Sequence, residues 1–531
     1  MTMNAKKSFT TSPLTRRRFL ELSAASAALA LSPALWPRPS WSAEGNILKV
    51  RDYSDFKSLD PSYFLAVPEE NINAVIYNKL ISFKPGRKWE WELEAAKSIR
   101  QIDPTHIAFE LKEGIIHSGG FGEMTAEDVK YSFERVADPD KKSPNIDDWG
   151  PLDKVEVTGK FSGTIVFKSP FQPVWWTTLP YTTGNIISMK ATEKVGGQFS
   201  TEPPSFSGPY MLKEWKPKQR TVLARNPVWK GPKPDFDEIH IFPIDDEKTA
   251  EIALESGDID FTRASITSLE KYQSSPPPDT DVIKLPSLYW LWLGMNMEHP
   301  KLKDIRVRKA VQLAVDVETV VDAAYFGLAE VATGIIPPGL LGNREKSLLP
   351  ERADVEGAKK LLTEAGYPNG LDLTLDILSK STYNTIAQVI QANLAQVGIR
   401  VQINIHDSGA FWVLGSEKDG DSWKDLQLIL NRYSSVPDPS YYTRWYLQNQ
   451  VGIWNWERFR SDEYDELDKN ALGEINQEKR AAMYRRMQDI LEESGCYRFI
   501  TNEVTPILCR KGVIPALRPD GVPLLRKFKK A

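Results

Sequence analysis

The chain has 531 residues, of which 41% are hydrophobic and 26% are charged. One hydrophobic core stops growing at roughly 250–300 residues, so a single compact domain is excluded, and the apolar content excludes wholesale disorder. The formal net charge of −4 excludes a basic nucleic-acid-binding footprint for the whole chain, and two cysteines exclude a disulfide framework and a four-thiolate metal site.

Residues 1–43 have the order of a cleavable export signal. Residues 15–21 read TRRRFLE, and an apolar run follows over residues 22–35. That run of about 14 residues is too short to span roughly 30 Å of hydrocarbon. The small residues Ser40, Ser42 and Ala43 supply a cleavage site, and the paired arginines predict export by the twin-arginine route. An uncleaved signal anchor is the alternative.

Without residues 1–43, the predicted mature chain has a formal charge of −9. Strand-like and helical segments alternate along it. Thr125, with Asp128 three residues later, predicts a helix N-cap. A strand at 371–378, a helix at 384–397 and a strand at 399–405 predict a parallel α/β lobe. The other predicted strands include 47–50, 106–111, 210–215, 221–224, 239–242 and 285–295, and the other predicted helices are 71–80, 247–255, 307–315, 317–326, 354–365 and 477–493.

No motif for catalysis or metal binding is present in the sequence. The five histidines are far apart, and no pair has metal-ligand spacing. A Gly-x-Ser-x-Gly elbow is absent, and the glycine-rich segment 118–122 lacks phosphate-loop or dinucleotide spacing. We therefore predict no catalytic residue, no metal and no cofactor, although two carboxylates brought together by the fold would leave no sequence signature.

Cys496 and Cys509 both belong to the predicted mature chain. An oxidising compartment would permit a bridge between them, but sequence spacing alone does not establish the geometry that a disulfide requires. The alternatives are one disulfide or two buried free thiols, and we favour the thiols.

Aromatic residues form a visible surplus of 16 Trp, 18 Tyr and 21 Phe. Trp290 and Trp292 lie on one predicted strand and therefore share a face. One interpretation is core packing. The other is stacking against a ligand in a cleft, where rings supply broad apolar faces and, in Trp and Tyr, a polar group. The aromatic clusters lie at 175–176, 289–292, 441–445 and 454–456.

Short motifs in a fixed order run through almost the whole mature chain. The most specific are FELKEG at 109–114, TAEDV at 125–129 and SFER at 132–135. Taken together, the motifs resemble the family 5 extracellular solute-binding proteins, the dipeptide and oligopeptide binders of ABC importers. Further matching segments are 59–61, 76–80, 207–210, 225–227, 296, 304–310, 314–316, 358–362, 364–367, 391, 394 and 398–399.

The resemblance implies an α/β architecture, the two-lobed type II periplasmic binding protein fold with an extra domain in the first lobe. The lobes would close on a ligand by hinge bending, and the chain would cross between them near residues 296 and 498. The implied protein is a periplasmic monomer that delivers its ligand to an inner-membrane permease and binds no nucleic acid. The predicted limits are 44–84 and 205–296 for the first lobe, 85–204 for the extra domain, 297–497 for the second lobe, and 498–531 for the return to the first lobe.

Peptide binders of this family hold the α-ammonium group of the ligand with an aspartate three residues before an acidic-Pro pair. Here the pair is Asp438-Pro439 and the matching residue is Ser435. A neutral hydroxyl cannot replace the charge-assisted bond that a buried ammonium needs, which places ordinary peptide binding in doubt. In the alternative alignment, Asp438 itself takes the role.

Other candidate ligand residues follow from the same resemblance. An arginine at position 432 could bind a carboxylate or phosphate through two parallel hydrogen bonds, or it could form a structural ion pair. The tyrosines at 383 and 433 could face the cleft or pack in the core. Together with Ser435 and Asp438, the candidate ligand residues are Ala66, Val67, Tyr383, Arg432, Tyr433, Trp290 and Trp292.

Three functional hypotheses remain at this point. The first is a binding protein for peptides or peptide-like compounds. The second is the same transport role with a non-peptide ligand such as an oligosaccharide, an opine or a metal chelate, which Ser435 and the tryptophans favour. The third is an exported hydrolase, which no motif supports.

Overall fold

Residues 46–531 are described by the computed structural model, so the export signal predicted over residues 1–43 lies outside the described residues. Within the described part, no helix is long and apolar enough to cross a membrane. The strands are β1 Ile47–Asp52, β2 Asn78–Lys79, β3 Ile81–Phe83, β4 Trp91–Leu93, β5 Ala96–Asp103, β6 His106–Leu111, β7 Ile116–His117, β8 Gly122–Glu123, β9 Leu152–Gly159, β10 Ser162–Phe167, β11 Asn185–Ile186, β12 Tyr210–Lys216, β13 Arg220–Arg225, β14 Glu238–Pro243, β15 Phe261–Arg263, β16 Thr280–Pro286, β17 Tyr289–Met295, β18 Leu371–Leu378, β19 Ile399–His406, β20 Leu428–Ser434, β21 Tyr497–Thr501, β22 Val504–Arg510, β23 Val513–Ile514 and β24 Lys529–Lys530. The α-helices are α1 Val67–Ile76, α2 Ala126–Ala137, α3 Met189–Lys194, α4 Glu247–Ser256, α5 Ile266–Ser274, α6 Ile305–Ala314, α7 Val317–Tyr325, α8 Val355–Glu364, α9 Ser381–Ala395, α10 Ser408–Phe411, α11 Ser440–Thr443, α12 Asp462–Gly473 and α13 Gln477–Glu493.

Two large sheets organise the described chain. The first-lobe sheet has seven strands in the order β12-β13-β14-β1-β15-β22-β16, and the second-lobe sheet has five in the order β19-β18-β20-β17-β21. The predicted strand-helix-strand unit is present as β18, α9 and β19, and β18 runs parallel to β19. Each sheet is covered by buried aliphatic side chains, so each has its own core.

A separate four-stranded antiparallel sheet, β5-β6-β10-β9, lies between the first-lobe segments. Helix α2 packs against it, and the Asp128 carboxylate accepts a hydrogen bond from the Thr125 backbone N–H at 2.8 Å. The predicted N-cap is therefore confirmed. The sheet falls inside the extra domain predicted over residues 85–204, whose exact limits stay a prediction.

The chain described here passes between the two large sheets twice, and each passage takes two residues. Ser287 and Leu288 connect β16 to β17, and Asn502 and Glu503 connect β21 to β22. The sequence predicted crossings near residues 296 and 498, but the strands place them at residues 287–288 and 502–503. The apolar run 285–295 looked like one strand, but its pairing partner changes from β22 to β20 within it.

Both cysteines are buried free thiols. Burial raises the pKa of Cys496 to about 11 and that of Cys509 to about 12, so the reactive thiolate is scarce at neutral pH. This confirms the thiol alternative favoured from the sequence.

We expect a thiol-specific reagent to label neither cysteine in the native protein and both after denaturation without reductant. Labelling monitored by intact mass makes the measurement, and prior treatment with reductant is the control. If two thiols are labelled only after reductant has been added, the cysteines are bridged in the exported protein.

Candidate ligand-binding cleft

The strand directions bring the carboxyl edges of both large sheets to the two crossings. In the first lobe, β1 runs parallel to β14 and β15, and the end of β15 points along β22 toward the crossing. In the second lobe, β18 runs parallel to β20, and the last residue of β20 pairs with the first residue of β17. Ligands of open α/β sheets bind outside the carboxyl ends of the strands. The candidate site is therefore the cleft between these two edges.

The first-lobe wall begins at the end of β1. Asp52 is buried, which raises the pKa of its carboxyl to about 6, and the neighbouring Tyr53 is exposed. The Val67 backbone hydrogen-bonds the Tyr53 side chain, which is within electrostatic range of Tyr289 at the crossing. Ala66 is the N-cap of α1 and is half-buried. The structure thus brings Ala66 and Val67 to the cleft edge, where they offer mainly backbone groups.

An ion pair joins the second-lobe wall to the second crossing. The Arg432 guanidinium donates from Nε to Glu503 Oε1 at 2.9 Å and from Nη2 to Oε2 at 2.6 Å. The same guanidinium lies 3.5 Å from the centre of the Tyr289 ring. Burial alone would lower the pKa of Arg432, but the Glu503 carboxylate raises it, so the group stays charged. Arg432 therefore forms the structural ion pair that was one of its two interpretations. One quarter of its side chain remains exposed.

Lys380 is a cation at this edge that the sequence analysis did not single out. It lies between β18 and α9, is exposed, and forms no ion pair within the described chain. Its pKa is lowered by burial of part of the group and by the positive charge of Arg432, whereas Glu503 at the second crossing and Glu247 on the opposite lobe raise it. Tyr383 lies below it, 5.6 Å from Lys380 Nζ to the ring centre, and is 4% exposed. The sequence signal that could have identified Lys380 is its position just after the parallel strand β18.

Ser435 lies at the first crossing. Its backbone N–H donates to the carbonyl oxygen of Leu288 at 3.2 Å, and the residue is half-buried. Asp438 is three residues away but has no exposed surface. Its two carboxylate oxygens accept from Arg480 Nη1 and Nη2, each at 2.9 Å. Since that carboxylate is fully occupied, our proposed ligand set omits Asp438 and keeps Ser435.

The two tryptophans of β17 form the inner layer of an aromatic cluster. Trp290 and Trp292 lie 6.1 Å apart in a stacked arrangement and have no exposed surface. Tyr433 contacts both edge-on and is 9% exposed. The core-packing interpretation therefore describes all three side chains in this structure, and the shared face predicted for the tryptophans is the buried one.

The outer layer of the cluster reaches solvent through two other tryptophans. Trp412, 37% exposed, stacks on Tyr433 at 6.5 Å, and Trp454, 38% exposed, meets Tyr433 edge-on at 6.0 Å. Trp412 follows β19, so it lies at the carboxyl edge. No group of three or more His, Cys, Asp or Glu residues suited to a metal ion occurs within residues 46–531.

Two opposed α/β sheets, joined by two short crossings and lined by charged and aromatic side chains, define a two-lobed solute-binding protein. The family model of the bacterial extracellular solute-binding proteins, family 5, matches residues 90–453, and the chain belongs to this family. The family resemblance and the two-lobed α/β fold predicted from the sequence are confirmed.

The following relatives are distantly similar to this chain and match over most of their length. The chain is 25% identical over 479 residues to the glutathione-binding protein GsiB of Shigella flexneri serotype 5b, covering 87% of this chain and 90% of that protein. Among solved structures it is similar to HbpA2 of Haemophilus parasuis, with a TM-score of 0.80, 21% identity and coverage of 92% and 100%. It is also similar to MoaA of A. tumefaciens R10 in complex with mannopinic acid, with a TM-score of 0.67, 22% identity and coverage of 92% and 99%.

Proposed function

We propose that this protein is the periplasmic binding component of an ABC importer, which captures a small solute in the cleft and delivers it unchanged to an inner-membrane permease. The observation that carries the proposal is the pair of opposed carboxyl edges joined by two two-residue crossings. Charged and aromatic groups line these edges, and none of them forms a recognised catalytic constellation. Export by the twin-arginine signal and action as a monomer belong to the same proposal.

The crossings suit a hinge. Ser287 Oγ donates to the Asn502 carbonyl oxygen at 2.6 Å, so the two connections are tied to each other. Glu503 has a left-handed backbone, with φ at 58°, which is uncommon for a residue with a side chain. A few residues that absorb backbone rotation are the usual means by which two lobes close on a ligand. Closure then requires a ligand that binds the closed state more tightly than the open one.

For the ligand we propose peptides or peptide-like solutes, in keeping with relatives named for glutathione binding. A specific observation favours the second candidate, a non-peptide solute such as an oligosaccharide, an opine or a metal chelate. Ser435 supplies a neutral hydroxyl where the family's peptide binders place a carboxylate, and Trp412 and Trp454 present ring surface to solvent.

We expect at least one small solute to raise the melting temperature of the exported protein purified from the periplasm. A ligand at 100 times its Kd stabilises the folded state by about 2.7 kcal/mol. The panel for thermal-shift measurement contains di- to pentapeptides, glutathione, oligosaccharides, opines and metal chelates.

Stabilisation by peptides supports the first candidate, and stabilisation by sugars, opines or chelates alone supports the second. Mass spectrometry of the released ligand is the control, because recovery of a cleaved product would indicate the exported hydrolase. If no compound of any class changes the melting temperature, the capture function is contradicted.

A further inference from the structure

A carboxylate without an ion-pair partner lies on the extra domain. Asp148 belongs to the short 3-10 helix Ile146–Trp149, and its Oδ2 accepts from Thr183 Oγ1 at 3.1 Å. The next residue, Trp149, is fully buried, and its indole N–H donates to the Thr183 carbonyl oxygen at 3.1 Å. Asp148 is half-buried and forms no ion pair within the described chain. The carboxylate is therefore held in a fixed position with one oxygen available.

A guanidinium without an ion-pair partner lies on the second lobe. Arg444 stacks over Tyr441, 4.3 Å from the ring centre, and over Trp445, 4.5 Å from the ring centre. Its side chain is exposed and forms no hydrogen bond or ion pair with the rest of the described residues. The Trp445 indole N–H is also buried without a hydrogen-bond partner. Stacking fixes the plane of the guanidinium and leaves its N–H groups free to bind an anion.

Contacts between the lobes bring these two charges to one place. A side-chain hydrogen bond joins Tyr441 to Thr177 of the extra domain. Thr177 Oγ1 lies 3.4 Å from Thr178 Oγ1, and the Thr178 hydroxyl donates to the Asp148 carbonyl oxygen. The Gln172 backbone N–H also donates to the Leu472 carbonyl oxygen of the second lobe at 3.0 Å. The Asp148 carboxylate and the Arg444 guanidinium thus lie on the two sides of these contacts, within electrostatic range of one another but without an ion pair, and Asp147 and Asp468 also lie within electrostatic range of Arg444.

We propose that Asp148 and Arg444 form a subsite for a zwitterionic α-amino-acid end, in which an ammonium group and a carboxylate are attached to the same carbon. Asp148 accepts from the ammonium and Arg444 donates two parallel hydrogen bonds to the carboxylate. This proposal rests on the proposed function and deepens it. Such an end occurs in γ-glutamyl peptides and in opines, whereas α-linked peptides use up the α-carboxylate of their first residue in the amide bond.

Burial of the carboxylate agrees with this assignment. Desolvation raises the pKa of Asp148 to about 6, and Arg444 acts in the opposite direction without forming a contact ion pair. A ligand ammonium would replace the water that such a group loses and would form a charge-assisted hydrogen bond with it.

The test uses two isomeric probes, S-methylglutathione and its α-linked isomer, together with mannopinic acid and the N-acetyl derivative of S-methylglutathione. We expect S-methylglutathione or mannopinic acid to bind the exported wild-type protein in isothermal titration calorimetry. The α-linked isomer and the N-acetyl derivative should bind about 10- to 100-fold more weakly, since the isomer has no carboxylate on the carbon that bears the ammonium group and the N-acetyl derivative has no ammonium group.

The variants Asp148→Asn and Arg444→Gln should each weaken binding of the zwitterionic probe about 10- to 100-fold. Asp153→Asn is the control, because Asp153 is exposed on the same domain and is not among the charges that act on Arg444 or Asp148. Unliganded melting temperatures of all variants identify any folding defect. Asp148→Asn keeps an acceptor for Thr183, so we expect it to fold.

Equal binding of the two isomers would overturn the subsite. So would an equal loss of affinity for the N-acetyl derivative and the parent in both variants, because that result indicates an ion pair between the lobes rather than a ligand contact. Binding of sugars alone would overturn the subsite and leave the capture function standing. If no solute of any class binds, both are contradicted.

Discussion

Replacing Asp438 by asparagine is expected to lower the free energy of unfolding by about 3–5 kcal/mol. Asp438 and Arg480 have no exposed surface, and two parallel hydrogen bonds of 2.9 Å join them. The variant leaves the Arg480 charge buried without its counterion, which is the costly way to break such a pair. Urea denaturation followed by circular dichroism measures the change.

Asp421→Asn is the control, since the Asp421 side chain is 81% exposed and its pair with Lys424 contributes little. We expect the folded Asp438→Asn protein to retain its ligand affinity when titrated well below its unfolding transition. A variant with wild-type stability but no ligand binding would instead assign Asp438 to the ligand, as in the alternative alignment.

Replacing Glu457 by glutamine is expected to change how stability depends on pH. Glu457 has no exposed surface, and its Oε1 accepts from Trp292 Nε1 at 2.7 Å. Burial raises the pKa of Glu457 from 4.5 to about 7, although the Trp292 hydrogen bond acts against this. A carboxyl with a raised folded-state pKa adds stability below its unfolded pKa, and that stability is lost as the pH rises through about 7.

The contribution of Glu457 to the stability lost across this window is on the order of 3 kcal/mol, and the Glu457→Gln variant should lack this contribution. Urea denaturation of both proteins at pH 5 and pH 8 gives the difference, and Glu356→Gln, at a side chain that is 88% exposed, is the control. A difference between wild type and Glu457→Gln that is the same at both pH values would show that Glu457 does not titrate in this range.

Local signals in the sequence predicted the regular parts of the fold. The helix that begins after Thr125 and the unit β18-α9-β19 depend on nearby residues, and both are present. Helix α1 shows the limit of such signals. The pattern predicted 71–80, but the helix runs Val67–Ile76, because Pro68 suits its first turn and the residues after Ile76 turn into the short strands Asn78–Lys79 and Ile81–Phe83.

The site depends on partners that are far apart in the chain. Arg432 meets Glu503 across 71 residues, and Asp438 meets Arg480 across 42. No periodicity relates such residues, so the sequence left Arg432 and Asp438 with two interpretations each. The prediction that Trp290 and Trp292 share one face of their strand was correct, but the sequence could not show whether that face is buried or exposed. The family's alignment brought Ala66, Val67, Tyr383 and Ser435 to the cleft region without fixing what their side chains contact.

The place of β22 in the first-lobe sheet has a consequence for biosynthesis. This strand, Val504–Arg510, lies between β15 and β16, whose own sequences precede it by more than two hundred residues. On the ribosome, the second lobe has all of its strands once residue 501 has been translated. At that moment the first-lobe sheet still lacks β22, so the edges of β15 and β16 that will pair with it are unpaired. Its folding therefore finishes only after nearly the entire polypeptide has been made, and the newborn chain depends on protection of those edges until then.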